Sequence, residues 1–355
     1  MERMEIFKML SERKHEQLVF WNEPDLGYRG IIAIHDTTMG PALGGTRFWD
    51  YKTEESAIID ALRLARGMTY KAAVAGLNLG GGKSVIWGDN HTADREMIFR
   101  AHGRAVESLK GRYITAEDVG TSPADMEFVH METEHVVGME GLSGDPSPVT
   151  AFGSYMGIKA CAAVKYGDDS LAGKHVVVQG VGHVGYYLCE DLHAEGAELT
   201  VTDIDEGRIQ RVVDDFGAAV VAPDDVYDVE AEIFAPCALG AVVNDDTIDR
   251  FKFDIIAGAA NNVLAKGDRH GTALHEKDIL YAPDYVINAG GLINVYGEIE
   301  EWSAERSKRK AGEIYGTLLR IFERAQADGV PTSIAADRVA EARIQEARHL
   351  QRSFL

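Results

Sequence analysis

The stretch His175–Gly185, which reads HVVVQGVGHVG, decides the fold of the second half of this chain. A run of valines, Val176–Val178, leads directly into the glycine pattern G-x-G-x-x-G at Gly180–Gly185. An apolar strand that enters such a turn and continues into an apolar helix is the arrangement that binds the pyrophosphate of a dinucleotide. Asp203 ends the next apolar run, at roughly the 20-residue spacing that this motif requires.

Each position of the motif has a physical role. Gly180 permits the tight turn, Gly182 lets the backbone approach the phosphates, and Gly185 lets the helix pack closely on the strand. The helix N-terminus adds partial positive charge. Asp203 would accept hydrogen bonds from the adenosine ribose and repel a 2′-phosphate. The motif therefore predicts NAD as the cofactor, bound by Gly180, Val181, Gly182, His183, Val184, Gly185 and Asp203.

Outward from the motif, apolar runs alternate with helical patterns. Further strands are predicted at Glu198–Asp203, Glu232–Pro236, Asp254–Ala257 and Tyr285–Ile287. Such alternation is typical of a parallel sheet with helices on both faces. We predict an α/β fold with two domains, of which residues 141–330 form a Rossmann-type, doubly wound NAD domain that begins at a turn-rich segment, Gly141–Pro148.

The first half of the chain has a more mixed pattern. A length of 355 residues suits two domains. Residues 1–140 alternate strand-like and helical segments and are predicted to form an N-terminal α/β domain. The C-terminal helix, at about residues 331–355, is predicted to pack back on this first domain.

The composition of the chain limits the binding partners and the compartment that we expect for the protein. The formal charge is −21, from 57 acidic and 36 basic residues, and this field repels nucleic acid and anionic membranes. Three cysteines, Cys161, Cys189 and Cys237, stand in apolar contexts without a C-x-x-C pattern. They indicate free thiols in a reducing compartment, so we expect a cytoplasmic protein. The spacing of the histidines predicts no metal site.

The chemistry is predicted to lie in Gly67–Gly88, which carries Lys71 and Lys83. Lys83 follows three glycines, Gly80–Gly82, and opens an apolar strand-like run. Backbone without side chains lets a small ligand approach closely. Apolar surroundings disfavour the ammonium form, so the pKa of Lys83 should be lowered, which makes the amine a usable base.

Further motifs complete a family resemblance. They are a predicted loop at Gly40–Thr46 followed by Arg47, the segment Glu117-Asp118-Val119-Gly120, and Leu77–Val85 around Lys83. With the dinucleotide motif, they make the chain resemble the glutamate/leucine/phenylalanine/valine dehydrogenase family over nearly its whole length, most closely the members that act on leucine. Asn90 stands at a turn position that proline usually occupies in the family.

The resemblance implies NAD-dependent oxidative deamination of an L-amino acid to a 2-oxo acid and ammonia. It implies that Lys83 activates the attacking water and that Asp118 binds the substrate amine and exchanges protons with it. Lys71, aided by backbone near Gly44 and Gly45, would bind the substrate carboxylate. Two plainer alternatives remain open here: Lys71 as a solvated helix residue and Asp118 as a helix cap.

The resemblance also assigns residues to the cofactor and to assembly. Thr150 would hold the nicotinamide carboxamide, while Asn262 and the weaker candidate Asn288 would reach the cofactor or the substrate. The first domain would mediate homo-oligomerisation, as a dimer or an octamer.

The substrate pocket of the family corresponds to Leu43, Ala116, Leu292 and Val295, all of them apolar. No charged residue there suits glutamate. Ala116 favours leucine, valine and isoleucine, whereas Leu292 is more typical of phenylalanine-preferring members, so phenylalanine or tryptophan stays an alternative. Two other classes fit the sequence less well. A 2-hydroxy-acid dehydrogenase would need a histidine paired with an acid, and no histidine here stands in a comparable motif. A non-catalytic NAD-binding regulator would not need both lysines and Asp118.

Overall fold

The computed structural model describes residues 5–139, 145–238 and 240–353. Its internal contacts divide the chain into two compact units. The first contains the chain before Asp145, the segment Glu298–Glu301 and the chain from Ala340 onward. The second contains Asp145–Gly297 and Trp302–Val339. Among the described residues, no helix is long and apolar enough to cross a membrane.

The first unit is built on a five-stranded mixed sheet in the order β1-β2-β4-β3-β5. Strand β2 is antiparallel to β1 and β4, whereas β3 is parallel to β4 and β5. The strands are β1 Gln17–Glu23, β2 Tyr28–Asp36, β3 Ala42–Trp49, β4 Gly80–Trp87 and β5 Tyr113–Glu117, and the helices are α1 Ile6–Arg13, α2 Glu54–Val74, α3 Arg95–Glu107 and α4 Pro123–His130.

Both faces of this sheet are buried, which explains its nearly continuous apolar strands. Successive residues of a strand point to opposite faces. Ile31 and Val85 therefore pack with the alanines and leucine of α2. Ile32 and Ile34 pack on the other face with Ala105 and Val106 of the α3 helix. Strand β4 lies between these two layers.

The expected loop at Gly40–Thr46 is wrong, because residues from Ala42 onward form strand β3. Glycine was interpreted as a turn signal, but here it serves close packing. A Cβ on Gly44 would collide with the carbonyl oxygen of Gly82, and one on Gly45 would lie 2.9 Å from Cβ of Asp118. The glycines therefore allow three strands to come together at one end of the sheet.

The second unit contains a six-stranded sheet in the order β11-β10-β9-β6-β7-β8, and every pair in it is parallel. The order reverses between β6 and β9, as in doubly wound folds, so the predicted fold class is confirmed. The strands are β6 His175–Gln179, β7 Glu198–Thr202, β8 Ala219–Val220, β9 Ile233–Pro236, β10 Ile255–Ile256 and β11 Leu280–Tyr281.

Nine helices accompany this part of the described chain. They are α5 Ser147–Tyr166, α6 His183–Ala194, α7 Glu206–Phe216, α8 Gly267–Glu276, α9 Asp284–Ile287, α10 Gly290–Ile299, α11 Ala304–Gly312, α12 Ile314–Asp328 and α13 Thr332–Ser353. Residues 147 and 148 of the expected boundary segment belong to α5, and residues 141–144 lie outside the described part. In the first unit, Tyr70 donates a hydrogen bond to Glu341 of α13, and Arg348 pairs with Asp36 at 2.6 Å.

The strand expected at Tyr285–Ile287 is also wrong, because this run is helix α9. The amides of Val286 and Ile287 both donate to the carbonyl oxygen of Pro283. A short apolar run does not distinguish a buried strand from a buried helix. The last parallel strand is instead β11, which pairs with β10.

Candidate active site

Lys83, on β4, and Asp118, directly after β5, meet across strand β3 of the first unit. Lys83 is only 5% exposed, and its Nζ lies 2.8 Å from Oδ2 of Asp118. Burial lowers the pKa of Lys83, and this effect outweighs the opposing attraction of Asp118. Burial alone would raise the pKa of Asp118, but the cations Lys83 and Arg47 hold it below its usual value.

Arg47 is a residue of this site that the sequence analysis did not identify. Its Nε donates to Oδ2 of Asp118 at 3.0 Å, the same oxygen that Lys83 contacts. Its other arm, NH1, donates to Oδ2 of Asp60 at 2.8 Å. Asp60 also accepts hydrogen bonds from Tyr51 and Arg63. The signal was available, because Arg47 stands two residues after Gly45 and therefore on the same face of β3.

The other predicted substrate residues of the first unit surround this pair. Ala116 is opposite Gly45 in the β3–β5 register, and Leu43 is opposite Gly81 in the β3–β4 register. Leu43 and Ala116 are both buried. Lys71 is half-buried in the last turn of α2. The structure therefore brings Leu43, Gly44, Gly45, Ala116, Lys83 and Asp118 together at one end of the sheet.

A neutral polar network lies on the opposite face of the same strands. His102 of α3 is fully buried; its Nδ1 is 2.8 Å from the Tyr28 hydroxyl and its Nε2 is 2.9 Å from the Thr46 hydroxyl. The Tyr113 hydroxyl donates to the carbonyl oxygen of Gly44 and lies 3.0 Å from the Ser84 hydroxyl. Burial lowers the pKa of His102 to about 3, so the imidazole stays neutral.

The glycine motif of the second unit has the geometry that its sequence predicts. Gly180 has φ of +93°, and a Cβ there would lie 2.5 Å from Cβ of Ala238. A Cβ on Gly185 would collide with the carbonyl oxygen of Gly180. At Gly182 the only neighbour among the described residues within 4 Å of such a Cβ is a guanidinium nitrogen of Arg208, at 3.8 Å. The backbone is therefore open at the position where the phosphates of a dinucleotide would approach.

The Asp203 carboxylate is held beside this turn by two backbone amides. Oδ2 accepts from Val181 at 2.8 Å and Oδ1 accepts from Asp205 at 3.0 Å. His183 and Val184 form the first turn of α6. This arrangement fixes the carboxylate next to the glycine turn, where it can accept hydrogen bonds from ribose hydroxyls.

Buried polar atoms without partners support the fit of a dinucleotide. Among the described residues, Gln179 Oε1, Thr202 Oγ1 and Asn288 Oδ1 are buried and have no hydrogen-bond partner. They lie at or just after the carboxyl ends of β6 and β7 and after helix α9, respectively. Buried polar atoms without partners are costly, so a ligand that bonds to them is expected. The sequence analysis identified Asn288 but not Gln179 or Thr202.

The remaining predicted residues of the second unit have the following positions. Thr150 lies in the first turn of α5 and donates to the carbonyl oxygen of Pro146. Asn262 lies six residues after the end of β10 and has φ of +54°, in the left-handed region. Leu292 is buried on α10, where Val295, three residues later, lies on the same side of the helix.

A buried amine with a lowered pKa, held against a carboxylate, suits proton transfer to and from amino groups. A doubly wound sheet with an open glycine turn suits a nicotinamide cofactor, which supplies hydride acceptance. Together the two units define the class of NAD-dependent dehydrogenases that act on amino acids.

Comparison with known proteins assigns the family. Residues 15–135 match the model of the Glu/Leu/Phe/Val dehydrogenase dimerisation domain, and residues 202–352 match the model of glutamate/leucine/phenylalanine/valine dehydrogenase. The chain belongs to this family, which is NAD-dependent. The family membership, the enzyme class and the NAD cofactor expected from the sequence are therefore confirmed.

Three relatives illustrate the range of similarity. Leucine dehydrogenase of Bacillus subtilis is 57% identical over 355 residues, covering 99% of this chain and 97% of that protein. Phenylalanine dehydrogenase of Caldalkalibacillus thermarum is 44% identical, covering 98% and 95%. The crystal structure of L-tryptophan dehydrogenase from Nostoc punctiforme has a TM-score of 0.89 at 46% identity and covers 97% of this chain and 99% of that chain.

Proposed function

We propose that this enzyme catalyses the reversible, NAD-dependent oxidative deamination of an apolar L-amino acid, with leucine, valine and isoleucine favoured. The products are the 2-oxo acid, ammonia and NADH. The observation that carries this proposal is the buried contact of 2.8 Å between Lys83 and Asp118. The 57% identity to a leucine dehydrogenase supports the branched-chain preference.

The residues of the first unit support each proton movement. A bound nicotinamide cofactor would supply the acceptor for the hydride of the substrate α-carbon. Lys83, whose lowered pKa favours the neutral amine, accepts a proton from the water that attacks the iminium carbon. Asp118, anionic because its pKa is also lowered, binds the substrate amine and exchanges protons with it as ammonia leaves. Lys71, with backbone at Gly44 and Gly45, binds the substrate carboxylate.

The cofactor roles rest on the second unit. The turn Gly180–Gly185 binds the pyrophosphate, and Asp203 binds the adenosine ribose. Thr150 holds the nicotinamide carboxamide, and Asn262 and Asn288 reach the cofactor or the substrate. Asn288 has the strongest structural support, because its Oδ1 is buried with no partner among the described residues while its Nδ2 donates to the carbonyl oxygen of Ala259.

A substrate panel tests the proposed preference. NADH formation is measured at alkaline pH with L-leucine, L-valine, L-phenylalanine, L-tryptophan and L-glutamate. We expect the highest kcat/KM with leucine and valine, because Ala116 narrows a pocket that Leu43 also lines. One methylene is worth about 1–3 kcal/mol in an apolar pocket, so other substrates should react more slowly rather than not at all.

The alternative within the family is a phenylalanine or tryptophan dehydrogenase. Leu292 favours it, and so does the similarity to the Nostoc enzyme. Highest kcat/KM with phenylalanine or tryptophan would establish this alternative and leave the proposed mechanism intact. Tight NADH binding without turnover of any amino acid would instead favour a non-catalytic NAD-binding regulator.

The Asp203→Ser variant tests the cofactor assignment. We expect weaker NAD binding and relaxed discrimination against NADP, because the variant loses an acceptor for the ribose hydroxyls and a charge that repels the 2′-phosphate. KM values for both cofactors measure this effect. Unchanged values would place the ribose contact elsewhere.

Assembly and location complete the proposal. The dimerisation-domain model matched by residues 15–135 supports a homo-oligomer formed through the first unit. Cys161, Cys189 and Cys237 are free thiols. Free thiols are common in the reducing cytoplasm, so we place the enzyme there. The acidic surface argues against nucleic acid and anionic membranes as partners.

A further inference from the structure

We infer that Arg47 is a positioning residue of the active site: by sharing one oxygen of Asp118 with Lys83, it orients that carboxylate and sets the pH at which the lysine becomes a base. This inference rests on the proposed function, because it gives Lys83 and Asp118 their roles in proton transfer.

The first step of the argument is geometric. Oδ2 of Asp118 is 2.8 Å from Nζ of Lys83 and 3.0 Å from Nε of Arg47. Two cations therefore share one carboxylate oxygen, and this leaves Oδ1 of Asp118 for the substrate amine. A carboxylate held by two donors on one oxygen cannot rotate without breaking both bonds. Arg47 thus selects which oxygen of Asp118 can reach the substrate.

The second step concerns what holds Arg47 in place. Its NH1 donates to Asp60, and Oδ2 of Asp60 also accepts the Tyr51 hydroxyl at 2.6 Å. Arg63 donates to the other oxygen, Oδ1, at 2.8 Å. Both carboxylates that Arg47 bridges are largely buried, with side-chain exposures of 26% for Asp118 and 14% for Asp60. The planar guanidinium spans two carboxylates at fixed geometry, which the single ammonium of a lysine does not.

The third step is electrostatic. Arg47 is a like-charged neighbour of Lys83 and disfavours its ammonium form, whereas Asp60 favours it. The charged and titratable groups around the pair are Arg47 on β3, Tyr51 in the following loop, Asp60 and Arg63 on α2, and Tyr113 and Glu117 on β5.

The central experiment compares pH profiles of kcat/KM for L-leucine and NAD. In Arg47→Gln, kcat/KM should fall on the order of 10²-fold, because Asp118 loses its orientation. The limb that rises with pH reports deprotonation of Lys83 in the free enzyme. This limb should move to higher pH, on the order of one unit, because the lysine loses a like-charged neighbour that disfavours its ammonium form.

Three further variants separate charge from geometry. Asp60→Asn should move the same limb to lower pH, since it removes an anion that favours the ammonium form of Lys83. Arg47→Lys should return the limb towards its original position but not restore the rate. Arg63→Gln, the matched control, removes a guanidinium that touches Asp60 but not Asp118, and should leave the limb in place. Circular dichroism checks that each variant folds.

A second readout does not depend on turnover. Mass spectrometry follows the modification of Lys83 by an amine-reactive reagent as a function of pH. This profile should shift to higher pH in Arg47→Gln and to lower pH in Asp60→Asn, as the kinetic limb does. If the parent enzyme oxidises no amino acid, the proposed function fails, yet this profile still tests Arg47. A lowered rate in Arg47→Gln with neither profile displaced would overturn the inference and leave Arg47 a structural residue.

Discussion

Lys83 and Ser84 are neighbours on strand β4, yet they enter two different buried environments. On the α2 face, Lys83 belongs to a charged chain that continues through Asp118 and Arg47 to Asp60. On the α3 face, Ser84 belongs to a network of hydroxyls around His102, in which every group is neutral. Both regions are polar and enclosed, and both contact the strands that carry the candidate site.

The difference shows when a buried ionisable group remains useful for chemistry. Lys83 keeps a charged partner: burial lowers its pKa, and the carboxylate of Asp118 opposes this shift. His102 has no charged partner among the described residues, and its pKa falls to about 3. The charged face can therefore move protons, whereas the neutral face can only hold the strands in register.

The largest difference should appear between substitutions of Lys83 and of its neighbour Ser84. Lys83→Ala should lower kcat on the order of 10²–10⁴-fold, because the general base is lost, while NADH binding stays largely intact. Ser84→Ala, its matched control, should retain turnover and lose stability by about 1–3 kcal/mol, because the polar partners of Ser84 are left unsatisfied. Steady-state kinetics and NADH fluorescence titration measure both variants. Substantial turnover in Lys83→Ala would remove the proposed role of the lysine.

The glycines before Lys83 divide in the same way between the two faces. A Cβ on Gly81 would collide with the backbone nitrogen of Thr69 in α2, whereas one on Gly82 would lie 2.6 Å from the ring of Tyr113. Both alanine variants should lose about 1–3 kcal/mol in the free energy of unfolding. Gly81→Ala should lose more, since a helix backbone shifts less easily than a side chain. Urea denaturation at fixed protein concentration measures the difference. An equal loss in the two variants would mean that the α2 backbone and the Tyr113 side chain move equally easily to make room for the added methyl group.

The smallest effect should come from His102 on the neutral face, whose substitution should change how the free energy of unfolding depends on pH. His102 has a folded pKa of about 3, below its ordinary value of 6.5. As pH falls below 6.5, the unfolded chain binds a proton that the folded chain does not, so stability decreases by up to about 1.4 kcal/mol per pH unit. His102→Gln should remove this contribution and flatten the slope between pH 6.5 and 5.

His35, whose pKa is lowered to about 4 mainly by burial, contributes with the same sign and remains in that variant. The slope should therefore decrease without vanishing. Urea denaturation at several pH values in this range measures it. The same slope in the parent and in His102→Gln would show that His102 titrates alike in the folded and unfolded chains.

Local patterns in the sequence determined much of this protein. The strand–turn–helix motif at His175–Gly185 contains its own geometry within a few residues, since the glycines and the apolar run act on neighbouring backbone. The alternation of apolar runs likewise predicted the parallel sheet. The glycine-flanked Lys83 and the acid at Asp118 marked the site, and with the family resemblance they pointed to amino-acid dehydrogenase chemistry.

The tertiary structure decided what depends on residues far apart in the chain. Whether glycines near Gly44 form a loop or a strand depends on the approach of Gly82, and a run such as Tyr285–Ile287 is helical or extended according to its packing. The contact between Arg47 and Asp118 joins residues 71 positions apart. No local pattern contains such a distance, because a side chain acquires its partner, and a buried lysine its pKa, only when the strands have been brought side by side.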